Sequence, residues 1–183
     1  PLAYGPVEAS LSFPGTASDK RWGAWTSGWG SVSSRNYSGI RSGQGGVLFG
    51  FDGMISDERL AGLFGGVGYG TTRTANGSSV DTTTVVGGAY ASLGYGAAFV
   101  DLSATFGATF NQSDRRIANN TLAGGVETAS GRYGGVFVSP SVSVGYDYDL
   151  GDKRLTPIIS LLYAGIYQNG FSESGSSSDL VVG

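Results

Sequence analysis

Apolar residues alternate with small or polar residues along most of the chain after Arg21. The alternation has a period of two residues, which is expected of strands whose two faces meet different surroundings. The chain is therefore predicted to be all-β. The predicted strands are eight in number, at residues 21–32, 44–54, 59–72, 82–94, 96–112, 133–149, 153–168 and, incompletely, 176–183.

The connections between the predicted strands alternate between long and short. About 11 residues follow the first strand, about 4 follow the second and about 9 follow the third. Only Tyr95 separates the fourth strand from the fifth, which about 20 residues rich in Asn, Arg, Ser and Gly then follow. The sixth is followed by Leu150-Gly151-Asp152 and the seventh by 169–175. Short turns at one end and long loops at the other are typical of an antiparallel up-and-down transmembrane β-barrel.

The two faces of each predicted strand differ in chemistry. In the sixth strand, Val and Tyr occupy one face, and Ser, Gly and Asp occupy most of the other. Charged residues are few away from the strand ends, which favours a wall that lines a pore over a face open to bulk water. The lumen-facing candidates are Asp52, Asp101, Ser103, Thr105, Ser139, Ser141, Ser143 and Asp147.

Aromatic residues close to predicted strand ends fit the girdles that flank the apolar band of a membrane barrel. For Trp25 and Tyr163, which stand in mid-strand, a lipid-facing or packing role is expected instead. The girdle candidates are Trp22, Tyr69, Tyr95, Tyr146, Tyr148 and Tyr167.

Pro140 is the residue that fits the strand pattern least well. It stands in the middle of the sixth predicted strand, where a residue without an N–H removes one hydrogen bond of the ladder. Barrels use β-bulges to adjust their curvature, so a bulge near Ser139-Pro140 is expected.

Composition excludes several classes of function. The chain has no His and no Cys, so Ser-His-Asp and Cys-His sites and zinc sites built on those residues are impossible. Its net charge of −3 gives no electrostatic footprint for nucleic acid. Residues 147–152 lack the glycine and glutamate spacing of a calcium loop. No enzyme activity, catalytic residue, cofactor or metal is predicted.

Six segments resemble, in order, the translocator β-domain of autotransporters, the type V secretion proteins of Gram-negative outer membranes. No single segment is specific, because each consists largely of Gly and aromatic residues, but six in order make chance an inadequate explanation. They are the Trp-rich Arg21–Gly30, then Gly45–Asp52, Leu60–Gly70, Gly88–Ser92, Leu155–Pro157 and Phe171–Gly175.

This resemblance implies a fold, a location and a set of partners. Residues 1–20 would be the tail of the connection from an N-terminal passenger, and 21–183 about eight strands of a twelve-strand outer-membrane barrel, incomplete at its C-terminus. The barrel would anchor the passenger and export it to the cell surface. Its expected partners are outer-membrane lipid, its own passenger in cis and the barrel insertion machinery.

Two other functions stay open on the residues alone. One is an outer-membrane porin or adhesin-like small barrel that acts through its extracellular loops, above all Asn111–Arg132. The other is a soluble, lipocalin-like barrel that binds a small apolar ligand. The second would need a bulky apolar interior, whereas the predicted interior positions carry Ser, Thr, Gly and Asp.

Overall fold

The computed structural model of the chain describes residues 7–11, 22–35, 37, 39–121 and 123–183. Its regular structure there consists of β-strands, as the alternation predicted. In this part of the chain, no helix is long and apolar enough to span a membrane. The strands are β1 (Val7–Leu11), β2 (Trp22–Arg35), β3 (Ile40–Ser56), β4 (Arg59–Arg73), β5 (Ser79–Tyr95), β6 (Ala98–Ala118), β7 (Val126–Tyr146), β8 (Tyr148–Asp149), β9 (Arg154–Leu155), β10 (Ile158–Leu162), β11 (Gly165–Gln168), β12 (Phe171–Ser174) and β13 (Val181–Val182).

Strands β1 to β7 form an antiparallel meander in which each strand pairs with the next one along the chain. The far edge of β7 is shared by the short strands β10, β11 and β12, and β12 pairs in turn with β13. Strands β8 and β9 form a separate hairpin. Within the described residues the sheet does not close on itself. The antiparallel up-and-down order confirms the predicted fold class.

The ladders of the meander are long and almost regular. Strands β5 and β6 keep one register from Ser79, opposite Asp114, to Tyr95, opposite Ala98. In the β2–β7 ladders, a register shift occurs between Met54 and Ser56, next to the turn that joins β3 to β4. Such ladders pair the backbone N–H and C=O groups of the strands with one another.

The hairpin of β6 and β7 is longer than the apolar pattern predicted. The predicted loop of about 20 residues shrinks to residues 119–125, because Gln112 lies opposite Arg132 and the pairing continues to Ala118 opposite Val126. Beyond Phe110 both faces carry polar residues, so a search for apolar alternation ends there although the ladder does not.

The turns keep the predicted alternation of lengths, although each longer loop is shorter than expected. Residues 36–39 and 74–78 join strands at the same end as 119–125, whereas two-residue turns lie at the other end. The turn between β5 and β6 is Gly96-Ala97 rather than Tyr95. Gly96 has a φ of 64°, which places the tightest part of this turn on a residue without a Cβ.

The chain after β7 departs furthest from its prediction. The single strand expected at 153–168 is broken into β9, β10 and β11, and β12 lies inside the predicted loop 169–175. Gln168 is opposite Gly135 and Glu173 is opposite Gly131. Between these two pairs the segment advances by five residues while β7 advances by four, so the register shifts by one residue. Of the predicted last strand, two residues form β13.

The bulge expected at Pro140 is absent, which corrects that prediction. Pro140 lies opposite Ala104 in an uninterrupted β6–β7 register. On the other edge of β7, the pairing stops after Leu162 and resumes at Gly165 in the same register. Tyr163 N–H donates to the Pro140 carbonyl at 3.0 Å. Proline has no N–H to donate toward Tyr163, so the ladder between β7 and the segment 158–168 is interrupted at this point. The ladder between β6 and β7 continues without a break.

Most of the predicted linker 1–20 lies outside the described residues. Its described part, β1, pairs with Thr26–Gly30 on the free edge of β2. The meander has no conventional core, since Ala129 is the buried hydrophobic residue and no large side chain is fully buried in the described part of the chain. The two faces of the sheet must therefore be understood from what surrounds them.

Candidate functional site

The two faces of the meander are here called the apolar face and the polar face. Successive side chains of a strand point to opposite sides of the sheet. The apolar face carries large side chains that are more than half exposed, such as Leu63 (66%), Phe106 (61%) and Phe49 (59%). A face of this kind is stable when it meets lipid or another apolar surface rather than water.

The apolar face has a defined height. On β6 its residues from Ala98 to Phe110 are Ala, Val, Leu or Phe, and Gln112 begins a polar stretch. On β7 the same change falls between Arg132 and Val136. Thirteen residues of strand cover about 40 Å. At a tilt of about 40° they are sufficient to cross the apolar band of an outer-membrane barrel, which is about 25 Å tall.

Most of the predicted lumen-facing residues share the polar face, and several of them hydrogen-bond a residue of a neighbouring strand. Ser103 and Ser141 hydroxyls lie 2.7 Å apart, and Ser92 donates to Asp101 at 2.6 Å. Thr105 lies opposite Ser139. These contacts pair small polar groups across the strands and leave the face polar but weakly charged.

Two further members of the predicted set, Ser143 and Asp147, lie at the short-turn end. Ser143 and Ser160 hydroxyls are 2.8 Å apart, which links β7 to β10 on the polar face. Asp147 follows β7 and lies outside the strands, where it accepts a hydrogen bond from Thr156 at 2.5 Å. The structure therefore does not bring Asp52, Asp101 and Asp147 together in one cluster.

Asp52 belongs to a chain of hydrogen bonds that crosses the polar face. Tyr90 of β5 donates its hydroxyl proton to Asp52 of β3, and the Trp25 indole donates to the Tyr90 oxygen at 2.9 Å. Strand β4 lies between β3 and β5, and a Cβ on its Gly62 would be 2.5 Å from the Tyr90 ring. Gly62 thus leaves room for Tyr90 to reach Asp52, and Trp25 has the packing role on the polar face.

Aromatic side chains on the polar face also lie flat over glycines that stand directly opposite them. Phe99 is opposite Gly145, where a Cβ would be 2.2 Å from the ring. Phe137 is opposite Gly107 in the same way, at 2.5 Å. The aromatic ring supplies the packing that the glycine lacks. No pattern in the sequence marks these pairs, which become visible only once the register is known.

The girdle candidates are all partly exposed and lie toward the two ends of the apolar stretch. Trp22 stacks on Phe51 with ring centroids 5.5 Å apart, and Tyr146 contacts Tyr148 at 4.6 Å. Their positions fall into two groups. Trp22, Tyr95, Tyr146 and Tyr148 lie toward the short-turn end, whereas Tyr69 and Tyr167 lie toward the longer loops.

Side chains of β6, β7 and β12 form a network beyond the apolar stretch, which we call the rim network. No pattern in the sequence marks it. Arg115 Nη2 lies 2.5 Å from the Glu173 carboxylate, whose side chain is 4% exposed. The pair spans β7 above Ala129 and Gly131, which are small and buried. Arg115 also donates to the Ser178 carbonyl at 2.7 Å.

Glu127 is the second anchor of the rim network. It accepts hydrogen bonds from the Ser177 N–H at 2.7 Å, from the Ser176 hydroxyl at 2.8 Å and from Asn119. These bonds, the Ser177 N–H foremost, lower the pKa of Glu127 to about 2. The Arg115 guanidinium likewise lowers the pKa of Glu173. The network holds the loop 175–180 against the polar face at the long-loop end.

The chemistry of these groups supports a lined surface better than a reaction centre. In the described residues, no three acidic side chains come close enough to hold a metal ion. The polar face instead offers hydroxyls, a few carboxylates and aromatic rings that are already paired with one another.

Comparison with known proteins agrees with this two-faced sheet. The family described as "Autotransporter beta-domain" matches residues 22–183. Among solved structures, the chain is similar to the translocator domain of autotransporter NalP from Neisseria meningitidis, with a TM-score of 0.70 and 17% sequence identity. The similarity covers 87% of this chain and 54% of that one, so the chain spans about half the length of the NalP domain. No curated protein sequence matches.

Proposed function

Since the chain belongs to the autotransporter beta-domain family, we propose that it forms the wall of a translocator in the outer membrane of a Gram-negative bacterium. The translocator anchors an N-terminal passenger of the same polypeptide and exports it to the cell surface. We propose outer-membrane lipid, the passenger in cis and the barrel insertion machinery as its partners.

The observation that carries this proposal is the contrast between the two faces of one continuous sheet. Leu102 and Ser103 are neighbours in β6, yet Leu102 belongs to the exposed apolar face and Ser103 to a hydrogen-bonded polar face. Hydrocarbon outside and a hydrated path inside would stabilise both faces at once. A globular sandwich would instead bury its apolar faces against each other.

Transport in this proposal is passive. The lumen-facing candidates on the polar face hydrate a passing chain with hydroxyls and a few carboxylates, and none of them forms a covalent bond to it. Aromatic rings that pack over glycines stay close to the strands, so they project little into the lumen. The girdle candidates lie at the membrane interfaces, where an aromatic ring meets both lipid and water.

The two ends of the chain have separate roles in the proposal. Residues 1–20 connect the passenger to the barrel, and residues 21–183 form the barrel wall. The described part of the connection, β1, runs antiparallel to β2, so the polypeptide enters the barrel alongside its first long strand.

Action through large extracellular loops has less support than transport. Most of Asn111–Arg132, the segment on which that alternative depended, belongs to β6 and β7 and leaves residues 119–125 as the loop. The loops 36–39 and 74–78 are shorter still. A small adhesin or porin would retain little free loop for binding at these positions.

The full-length protein with Leu102→Arg tests the membrane orientation, and Ser103→Arg in the same protein is the matched control. An arginine facing mid-bilayer costs about 2–4 kcal/mol of folding free energy in a barrel, whereas one facing the lumen costs much less. Refolding into lipid vesicles followed by urea titration measures both variants. Val142→Arg and Ser141→Arg repeat the comparison on β7.

Export is tested on the same variants in cells. Surface display of the passenger, measured by protease accessibility on intact cells, should fail with Leu102→Arg and persist with Ser103→Arg. Equal tolerance of both arginines would exclude the membrane orientation. Correct folding of the barrel without any surface passenger would exclude export and leave the membrane wall in place.

A further inference from the structure

Three arginines gather at the long-loop end of β2, β3 and β4. Arg41 of β3 lies directly opposite Arg73 of β4. Arg35, at the end of β2, also lines the cavity, although its register opposite Ile40 places it on the polar face. All three are exposed. The cavity has a volume of about 340 Å³ and also contacts Thr74 and Ala75 of the next loop.

Among the described residues, no carboxylate forms an ion pair with this arginine cluster. The ion pair found among the described residues joins Arg115 and Glu173 and lies elsewhere, in the rim network. On the same face, Asp81 lies opposite Thr71, diagonally from Arg73, and interacts with the Tyr69 hydroxyl. Like charges directly opposite each other destabilise a sheet. A bound anion would remove that cost.

The position of the cluster on the sheet indicates the kind of anion that it would bind. Arg41 and Arg73 belong to the apolar face, on which Val47 and Tyr69 are also exposed. Arg73 lies four residues beyond Tyr69, or about 13 Å along the strand, and an arginine side chain can extend back toward the interface. The cluster is therefore expected at the level where lipid headgroups begin.

We propose that Arg41 and Arg73 form a binding site for a phosphate group carried by a lipid headgroup. This rests on the proposed function to the extent that lipid surrounds the apolar face. Each guanidinium presents a planar fork of N–H donors that matches two phosphate oxygens. Two forks from facing strands can hold one phosphate from both sides.

The loops around the cavity are suited to such a site. Thr74 closes its loop through two hydrogen bonds to the Ser78 carbonyl. Its backbone N–H donates at 2.9 Å and its hydroxyl donates at 3.1 Å. Gly77 N–H donates to the Thr74 carbonyl at 3.0 Å. The wall of the cavity is thus fixed by its own hydrogen bonds, and the arginines are left to bind the anion.

Native mass spectrometry of the full-length protein in non-ionic detergent tests the site. The probe is dioleoyl phosphatidic acid, which carries a terminal phosphate, and dioleoyl phosphatidylcholine, whose phosphate is capped, is the comparison lipid. The double variant Arg41→Gln/Arg73→Gln should weaken phosphatidic acid binding about tenfold, because it removes charge-assisted hydrogen bonds. Phosphatidylcholine binding should be weak and unchanged.

A matched control separates this cluster from general positive charge. Arg116 and Arg132 also lie on the apolar face beyond its apolar stretch, opposite the uncharged Thr128 and Gln112. Arg116→Gln/Arg132→Gln should leave phosphatidic acid binding within about twofold of the wild type. An equal loss in both double variants, or no loss in Arg41→Gln/Arg73→Gln, would overturn the site.

Two further measurements keep the result independent of folding and of export. Arg41→Gln/Arg73→Gln removes a like-charge repulsion, so its urea midpoint should not fall below that of the wild type. Inorganic phosphate that competes with phosphatidic acid at millimolar concentration or less would support the phosphate site but assign it to free phosphate. Binding is measured in detergent, so a failure of passenger export would leave this outcome unchanged.

Discussion

The β6–β7 hairpin and the segment 154–174 run beside each other, yet one is continuous and the other is broken. Leu102, Val142 and Leu161 lie in one row across β6, β7 and β10. Leu102 is 42% exposed, whereas Leu161 is 70% exposed. The difference follows from neighbours, because β6 is paired on both edges while β10 is paired with β7 alone.

The comparison teaches that the regular strand here has both a partner on each edge and a clear alternation of its own sequence. The sequence of 158–168 alternates less clearly than that of β7, because Ile158, Leu162 and Ile166 lie on the same face as Ser160. Its ladder is also interrupted opposite Pro140 and shifts register before Glu173. A strand paired on both edges can tolerate a proline, since one neighbour still holds it in register.

The largest predicted effect comes from an arginine placed in the row that β6, β7 and β10 share. Leu161→Arg in the full-length protein should cost about 2–4 kcal/mol of folding free energy, as is expected of Leu102→Arg, if both residues face mid-bilayer. Urea titration in lipid vesicles measures the cost, and Ser160→Arg on the opposite face is its control. A Leu161→Arg cost near that of Ser160→Arg would mean that this segment is not part of the spanning wall.

The next effect concerns glycines in the two regions. A Cβ on Gly107 would be 2.5 Å from both the Phe137 ring and the Val85 carbonyl, whereas one on Gly165 would be 3.0 Å from the end of the Tyr163 side chain. Gly107→Ala should therefore destabilise by about 1–3 kcal/mol. Gly165→Ala should cost clearly less because Tyr163 can move aside. Unfolding midpoints that fall equally would contradict this.

A smaller effect should appear when the interruption itself is repaired. Pro140→Val restores an N–H that faces Tyr163, so β10 and β11 should merge and gain about 1 kcal/mol. Amide hydrogen exchange of 162–165 should slow in this variant. Val142→Ile, which adds no donor, serves as the control, and unchanged exchange in Pro140→Val would show that the break has another cause.

The smallest effect is the pH response of the rim network. Because folding lowers the pKa of Glu127 from 4.5 to about 2, its contribution to stability is present above pH 4.5 and is lost as the pH falls toward 2. Protease cleavage within 175–180 should therefore increase over that interval in the full-length protein. Glu127→Gln should show fast cleavage at all these pH values, and a pH dependence that survives in this variant would identify a different group.

Sequence alternation was sufficient for the fold class, and the resemblance of six ordered segments for the family, but neither marked the strand ends or the rim network. The period of two is visible wherever one face is apolar, as on β6 up to Phe110. Beyond it, Arg115 and Glu127 lie in strands whose two faces are both polar, so no alternation of hydropathy marks them. The Tyr90–Asp52 bond also escaped prediction, because it crosses an intervening strand and depends on Gly62.

The absence of any large, fully buried side chain in the described residues has a consequence for how such a sequence evolves. In a globular core, each side chain must match the shape of its neighbours, so substitutions have to compensate one another. Where a fluid apolar solvent covers the apolar face, a leucine there can be replaced by valine or phenylalanine without any reciprocal change. Selection then acts on which positions are apolar and which are polar. Homologous barrel walls can therefore diverge in sequence while keeping the same fold.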